Sequence, residues 1–191
     1  QLAENVAAPK VRNELVVRLL WQTGIRQSEL ARVRLEDLDR ENHLIKDVWS
    51  PKASDEKKTR TVYYHPNLES LIRLWLDTGR PSYRYAESSE YLLLSKRNEQ
   101  MNTRKPSGIV KEAAENAGIQ EVIMEDQMGR KRHRVTAHAL RHGFAVHSLD
   151  QGMDLKKLSD LLGHSSLETT EIYLQYVDRD IEEAYRRHFE P

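Results

Sequence analysis

The segment from His138 to Tyr173 constrains the fold most, because glycines divide it into three short stretches. AHALRHGFAVHSLD carries apolar residues at helical spacing and is soon followed by a glycine, which predicts an amphipathic helix. The next stretch, about Asp154 to Leu162, predicts a second helix that Gly163 terminates. A third helix is predicted to carry Tyr173. Short helices joined by such turns can bring polar side chains to one point, so we expect a functional site here.

Four polar side chains in this segment suit chemistry on a phosphate: His138, Arg141, His164 and Tyr173. His138 and Arg141 are three residues apart and share one face of a helix. Arginine binds phosphate through paired hydrogen bonds, histidine moves protons near neutral pH, and tyrosine can be a covalent nucleophile. The set lacks the carboxylate cluster of a two-metal nuclease. It predicts metal-free phosphoryl transfer to a tyrosine.

Three motifs resemble those of the tyrosine recombinase (phage integrase) family. They are TGIRQSEL at residues 23–30, HALRH at 138–142, and LGHSSLETTEIY, which places eight residues between His164 and Tyr173. The resemblance extends from about Val11 to Arg187, and the order and spacing of the motifs make it specific. It implies a catalytic domain that is mainly α-helical with a small antiparallel β-sheet. It also implies that double-stranded DNA is the partner and that no cofactor is needed.

Six residues match the catalytic positions of that family: Arg26, Lys52, His138, Arg141, His164 and Tyr173. The resemblance implies that the arginines and the second histidine hold the scissile phosphate. The tyrosine would attack phosphorus, and the first histidine would accept its proton. A lysine in the turn before TRTVYY would protonate the leaving 5′ oxygen. We assign that role to Lys52, while Lys57 and Lys58 in the same turn stay open as alternatives.

Glu29 and His142 are predicted to hold the six catalytic residues in position. Glu29 matches an acidic position of the family and would orient neighbouring arginines. His142 follows His138 by four residues, a spacing that also occurs in zinc-binding helices. No glutamate follows His138, however, as the H-E-x-x-H pattern requires. We therefore predict no metal site and assign His142 to packing or support.

The charge pattern gives mixed evidence on DNA binding. Lys plus Arg number 30 and Asp plus Glu number 30, so the chain lacks the basic excess of a protein that coats DNA. The basic residues are nevertheless clustered, and we predict DNA contacts from Lys57, Lys58, Arg60, Arg130, Lys131, Arg132 and Arg134. For any single cluster, a solvated surface is an equally good interpretation.

The length of 191 residues suits one domain with a core of its own. We predict a linker at residues 1–9 and a catalytic domain at 10–191, without the N-terminal DNA-clamping domain that family members usually carry. The chain has no cysteine and no apolar run long enough to span a membrane, so we expect a cytoplasmic protein. The full-length protein is expected to act as a homotetramer on DNA, and this chain, as a fragment, to be a monomer.

Strands are predicted at His43–Ser50, Thr59–His65 and Tyr91–Leu94, with a second hairpin formed by residues 122–125 and 131–135. A C-terminal helix is predicted within residues 178–189.

Two alternatives to a recombinase stay open. One is a type IB topoisomerase, which would relax supercoils with a similar set of residues. The other is an inactive DNA-binding regulator of the same fold.

Overall fold

The structure is a computed structural model that describes residues 1–49, 59–125 and 131–177, the Lys131 side chain excepted. Helices predominate and the strands form two small antiparallel sheets, which confirms the predicted fold class. The α-helices are α1 (Lys10–Thr23), α2 (Gln27–Leu30), α3 (Glu69–Leu74), α4 (Lys105–Asn116), α5 (Ala137–Asp150), α6 (Leu155–Leu162) and α7 (Glu168–Glu171). The strands are β1 (Leu38–Asp39), β2 (Leu44–Trp49), β3 (Thr59–Tyr63), β4 (Val122–Glu125) and β5 (Lys131–His133). The predicted C-terminal helix lies outside the described residues.

Helix α1 forms the centre of the main core. Its residues Leu15, Leu19 and Leu20 are fully buried, because they recur at the spacing that keeps one helical stripe facing inward. The helix contacts α4, α5 and β3, and it ends at Gly24, which adopts a left-handed conformation. This position brings the turn after α1 next to the helices that carry the site.

Strands β1, β2 and β3 pair in that order as an antiparallel sheet. Ile45 pairs with Val62 in register, and both are fully buried against the core. An irregularity in the pairing lies between Ile45 and Val48, where Asp47 has a left-handed backbone with φ of 49°. The two predicted strands are thus confirmed, although the second ends at Tyr63, two residues before the predicted end. The predicted catalytic lysine and its two alternatives, within residues 50–58, lie outside the described part.

The predicted strand at Tyr91–Leu94 is wrong. Leu92, Leu93 and Leu94 are fully buried, as their apolar character suggests, but the backbone is irregular. Tyr91 makes one isolated bridge, to Arg34. The Leu92 N–H donates to the Val33 carbonyl at 2.9 Å, and Met101 N–H donates to the Leu93 carbonyl at 2.9 Å. Individual hydrogen bonds to loop residues satisfy these buried backbone N–H and carbonyl groups, so pairing in a strand is not required.

The remaining short elements complete the domain. Turns of 3-10 helix lie at Ala3–Asn5, Pro66–Leu68, Arg80–Ser82 and Leu174–Tyr176, and a π-helical turn at Trp75–Gly79. β4 and β5 form the predicted second hairpin. Residues 1–9 pack on the domain, since Val6 is buried and the Asn116 side chain donates to the Asn5 carbonyl at 3.0 Å. Within the described ranges, no helix has the length and apolar content to cross a membrane.

Candidate active site

Four elements converge at one place on the molecule. Arg26 lies in the turn between α1 and α2, and Arg141 projects from the first half of α5. His164 follows the C-terminus of α6, and Tyr173 follows α7. Helix α6 begins at Asp154, whose side chain accepts from the Lys157 N–H at 3.0 Å, and it ends at Gly163 with a left-handed backbone. That glycine turns the chain so that His164 faces Arg141.

Gly24 fixes Arg141 from the other side. Its carbonyl accepts a hydrogen bond from Arg141 Nη1 at 2.6 Å. Its φ of 61° is left-handed, and a Cβ at this position would lie 2.3 Å from the ring of Phe144. Glycine alone combines this backbone conformation with enough space for the Phe144 ring. Gly24 therefore determines where its own carbonyl, and with it the Arg141 guanidinium, lies.

Three guanidinium groups converge on the C-terminal end of α6. The carbonyls of residues 161–163 accept from Arg60 Nε at 2.7 Å, Arg141 Nη2 at 2.8 Å, and Arg26 Nη1 and Nη2 at 3.3 and 3.2 Å. The last carbonyls of a helix lack partners within the helix and carry its negative dipole end, so cations are favourable there. The helix end therefore gathers the arginines into one cluster.

Glu29 is the counter-ion of this cluster. Its buried carboxylate accepts from Arg60 at 2.7 and 3.1 Å, from Arg26 Nη1 at 2.9 Å, and from the Arg26 backbone N–H at 2.9 Å. Burial alone would raise the pKa of Glu29, but the hydrogen bonds and charges of Arg60 and Arg26 outweigh it and hold the pKa below its ordinary value. Glu29 is thus an anion that orients two arginines.

The other two basic groups, Arg141 and His164, have pKa values below their ordinary values. Burial, helped by the nearby charge of Arg26, lowers the pKa of Arg141 to about 9. Burial, followed by the charges of Arg141, Arg26 and Arg60, lowers the pKa of His164 to about 4. His164 is therefore a neutral imidazole at pH 7, with Nε2 lying 3.0 Å from Arg141 Nη2.

Tyr173 is 4% exposed and packs on His142 and His164. Its ring stacks on His164 at 6.4 Å between centroids and meets the edge of His142 at 5.3 Å. Tyr176 also contacts His142, at 4.7 Å, but its side chain is 56% exposed. The prediction that a helix carries Tyr173 is wrong, because the residue lies in the turn between α7 and the 3-10 turn. The two tyrosines therefore occupy different environments.

The structure brings together most of the predicted site residues that it describes. Arg26, Arg141, His164 and Tyr173 surround one point, with Glu29 and His142 behind them. His138 lies on α5 one turn before Arg141, with its side chain exposed.

The predicted DNA contacts occupy different environments. Arg132 and Arg134 are exposed near β5, and Arg134 pairs with Glu121 at 2.8 Å. Arg60 instead turns inward to Glu29, with its side chain 10% exposed, so it lies inside the cluster and away from the surface. Arg130 lies outside the described residues, as do the three lysines of the β2–β3 connection.

Sequence reasoning missed two contributors to the site. Arg60 was predicted as a DNA contact on the surface. Side chains along a strand alternate between its two faces, and in TRTVYY this alternation places Arg60 on the same face as Val62, which would have indicated an inward position on β3. Thr170 is fully buried, and its Oγ1 lies 2.7 Å from His164 Nδ1. Nothing in ETTEIY distinguishes Thr170 from the exposed Thr169 before it.

Among the described residues, no group of three His, Cys, Asp or Glu is arranged to hold a metal ion.

The sequence model of the Phage integrase family matches residues 1–179. Tyrosine recombinase XerC of Mycobacterium sp. (strain KMS) is 34% identical over 163 residues, which are 85% of this chain and 49% of the relative. Tyrosine recombinase XerA of Pyrococcus furiosus is 32% identical over 190 residues, which are 98% of this chain and 58% of the relative. The chain thus spans about half the length of the curated relatives it matches.

Solved structures show the same fold. A crystal structure of XerA recombinase has a TM-score of 0.73 and 29% identity, and the match covers 100% of this chain and 62% of that one. The XerH site-specific recombinase bound to its palindromic difH substrate has a TM-score of 0.72 at 23% identity, covering 97% of this chain and 50% of that one.

Proposed function

Because the chain belongs to the phage integrase family, we propose that it is the catalytic domain of a site-specific DNA recombinase. It would cut and rejoin DNA strands through a 3′-phosphotyrosyl intermediate. One observation carries the proposal: a buried tyrosine lies beside a neutral histidine and an arginine cluster. The names of the relatives, tyrosine recombinases XerC and XerA, support the same activity.

In this proposal, Arg26, Arg141 and His164 hold the two non-bridging oxygens of the scissile phosphate. The arginines now donate to carbonyls at the end of α6, and phosphate oxygens would take over as acceptors. Preorganised donors stabilise the charge of the transition state without reorganisation at the moment of reaction. Glu29 holds the arginines in place, so the cluster needs no metal ion to act on a phosphodiester.

The phenolic oxygen of Tyr173 attacks phosphorus and forms a P–O bond, while the bond from phosphorus to the 5′ oxygen breaks. His138 accepts the phenolic proton, and Lys52 protonates the leaving oxygen, with Lys57 and Lys58 as alternatives. The covalent link retains the energy of the phosphodiester, so no cofactor is required. A 5′ hydroxyl of a partner strand then attacks the phosphotyrosine and reverses the step.

The partner in this proposal is double-stranded DNA, contacted through the exposed Arg132, Arg134 and neighbouring basic residues. Recombination between two sites needs several active sites at once, so the full-length protein would act as a homotetramer, with this chain alone a monomer. An N-terminal domain that completes the clamp on DNA would fit the greater length of the relatives. The protein would meet that DNA in the cytoplasm.

The test is a covalent adduct with a nicked suicide substrate, formed in excess chelator and resolved on a denaturing gel. Tyr173→Phe should abolish the adduct and leave DNA binding nearly unchanged, because only the nucleophilic oxygen is lost. Tyr176→Phe, three residues away, is the matched control and should retain the adduct.

An adduct from Tyr173→Phe at the wild-type level would show that another residue is the nucleophile. Adduct formation that depends on added metal would contradict the metal-free mechanism. Relaxation of supercoiled plasmid without joining of two sites would favour a type IB topoisomerase. DNA binding without any adduct would favour an inactive regulator.

A further inference from the structure

The contact between Arg141 and His164 fixes the protonation of the imidazole. A guanidinium has only N–H donors, so at 3.0 Å from Arg141 Nη2 the His164 Nε2 must accept. A neutral imidazole then carries its proton on Nδ1, which donates to Thr170 Oγ1 at 2.7 Å. The DNA-free site therefore holds the Nδ1–H tautomer of His164.

A bound phosphate requires the opposite tautomer. Non-bridging phosphate oxygens only accept hydrogen bonds, so His164 can bind one through Nε2 only if that nitrogen carries a proton. Burial, followed by the charges of the surrounding arginines, disfavours the cationic imidazole, which leaves exchange between the two neutral forms. That exchange transfers one proton overall from Nδ1 to Nε2, so the net charge of the ring is unchanged.

We infer that Thr170 is a positioning residue that supports both neutral tautomers of His164, Nδ1–H in the free site and Nε2–H on phosphate. A hydroxyl can accept from Nδ1–H in the first state and donate to bare Nδ1 in the second. The inference rests on the proposed function, because it assumes that a phosphate reaches Nε2.

The location of Thr170 supports this role. Its side chain is fully buried, so water does not compete for the hydrogen bond to His164. Its carbonyl accepts from the Tyr173 N–H at 3.0 Å, which ties the same residue to the turn that carries the tyrosine. Thr170 therefore fixes the histidine through its side chain and the tyrosine through its backbone.

Nitrogen-15 NMR of labelled histidine tests the inference without requiring activity. His164 is assigned by the signals that disappear in His164→Asn. In the wild-type protein we expect a protonated Nδ1 and a bare Nε2, changing to a protonated Nε2 when inorganic phosphate is titrated in. Thr170→Ser should reproduce both states. Thr170→Val, which keeps the shape and removes the hydroxyl, should keep a protonated Nδ1 before phosphate, because Arg141 still donates to Nε2, and should show an incomplete change after it.

Thr169→Val is the matched control, since it makes the same substitution at an exposed neighbour and should behave as wild type. Circular dichroism establishes that each variant is folded. A wild-type spectrum with protonated Nε2 before phosphate, or a Thr170→Val spectrum that responds as wild type does, would overturn the inference.

Adduct formation provides the second measurement. Thr170→Val should slow it about 10-fold or more, the scale expected when a group that orients a functional imidazole is removed. Thr170→Ser should stay within about 3-fold of wild type, since its hydroxyl is retained. Equal rates for Thr170→Val and wild type would overturn the inference. If the wild-type protein shows the predicted tautomer change, Thr170→Val shows an incomplete one, and the wild type forms no adduct, the assignment to Thr170 is upheld and the proposed function is rejected instead.

Discussion

His164 stays neutral among three arginines, and this should be visible in the pH dependence of stability. Its pKa is about 4 in the folded protein and about 6.5 in the unfolded chain. Between these values the unfolded state binds more protons, so stability rises with pH. The contribution is complete above about pH 6.5 and is lost as the pH falls towards 4.

We expect His164→Asn to flatten the dependence of the unfolding free energy on pH between about 4 and 6.5. Urea unfolding at a series of pH values measures it. The exposed His147→Asn serves as control and should keep the wild-type slope. An unchanged slope in His164→Asn would show that the imidazole is not held neutral in the folded state.

Glu29 is the residue whose charge the cluster needs most. Glu29→Gln keeps the shape of the side chain but leaves Arg26 and Arg60 without a buried anion, which typically costs about 3–5 kcal/mol. Since the folded pKa of Glu29 is depressed, its contribution is present above about pH 4.5 and is lost as the pH falls through the folded value. Urea unfolding at pH 7 tests the substitution.

Glu36→Gln provides the comparison for Glu29→Gln. Glu36 pairs with Arg34 at 3.2 Å on the surface, where both side chains are about half exposed or more. Such a pair contributes about 0–1 kcal/mol, so the control should unfold close to wild type. Equal losses in the two variants would mean that the burial of Glu29 has no energetic consequence.

Single residues were predictable to the extent that a motif fixes their chemistry. Arg26, Arg141, His164 and Tyr173 were predicted from spacing and resemblance, and they lie together. Arg60 was not assigned to the cluster, because a basic run beside a loop usually faces solvent, and only the packing of α6 on β3 reveals its carbonyl partner. The alternation of TRTVYY indicates that Arg60 faces inward, but it does not reveal which carbonyl the side chain will meet.

Among the elements, the turn after α1 has the most specific requirement. Gly24 is left-handed, and a Cβ there would meet Phe144 at 2.3 Å. Gly118 has a similar φ of 69°, but nothing lies within 4 Å of its Cβ position. Gly118→Ala should cost about 1–2 kcal/mol for the left-handed backbone alone. Gly24→Ala should cost a further 1–3 kcal/mol, roughly, because it also overpacks the core.

Urea denaturation of the two alanine variants measures the difference between their unfolding free energies. Adduct formation measures the effect of each substitution on the site. Phe144 lies on α5 with Arg141, so its displacement would also move the guanidinium away from the Gly24 carbonyl. Gly24→Ala should therefore lose adduct formation while Gly118→Ala retains it. Equal stability of the two variants would mean that α5 shifts without cost and that the turn does not position Arg141.

The periodic elements were predictable, and those defined by their partners were not. α1, α5 and α6 follow from apolar spacing and glycine stops, and β2 and β3 from β-branched and aromatic residues. The run at Tyr91–Leu94 has the composition of a buried strand, but its partners are loops. The composition of a short apolar run indicates burial but does not reveal which backbone groups will pair with it, so the prediction of a strand was wrong.

For the whole molecule, the net charge of zero determines how DNA binding should respond to salt. Acidic and basic residues are equal in number, and part of the basic set, such as Arg60, is neutralised inside the fold. Binding must therefore come from local clusters, and each phosphate contact releases counterions. We expect weak binding whose affinity falls steeply as salt rises, with a limited number of contacts setting the slope.

Replacement of one exposed arginine should change that slope by a predictable amount. In a plot of log K against log salt concentration, Arg132→Gln should reduce the slope by about 0.9, the value for one phosphate contact on duplex DNA. Lys111→Gln removes the same charge from α4, outside the basic clusters, where it pairs with Glu115, and should leave the slope unchanged. Fluorescence anisotropy with a labelled duplex at several salt concentrations measures both variants. A flat dependence for wild type would reject a phosphate-driven interface, and equal changes in both variants would show that net charge, not the cluster near β5, controls binding.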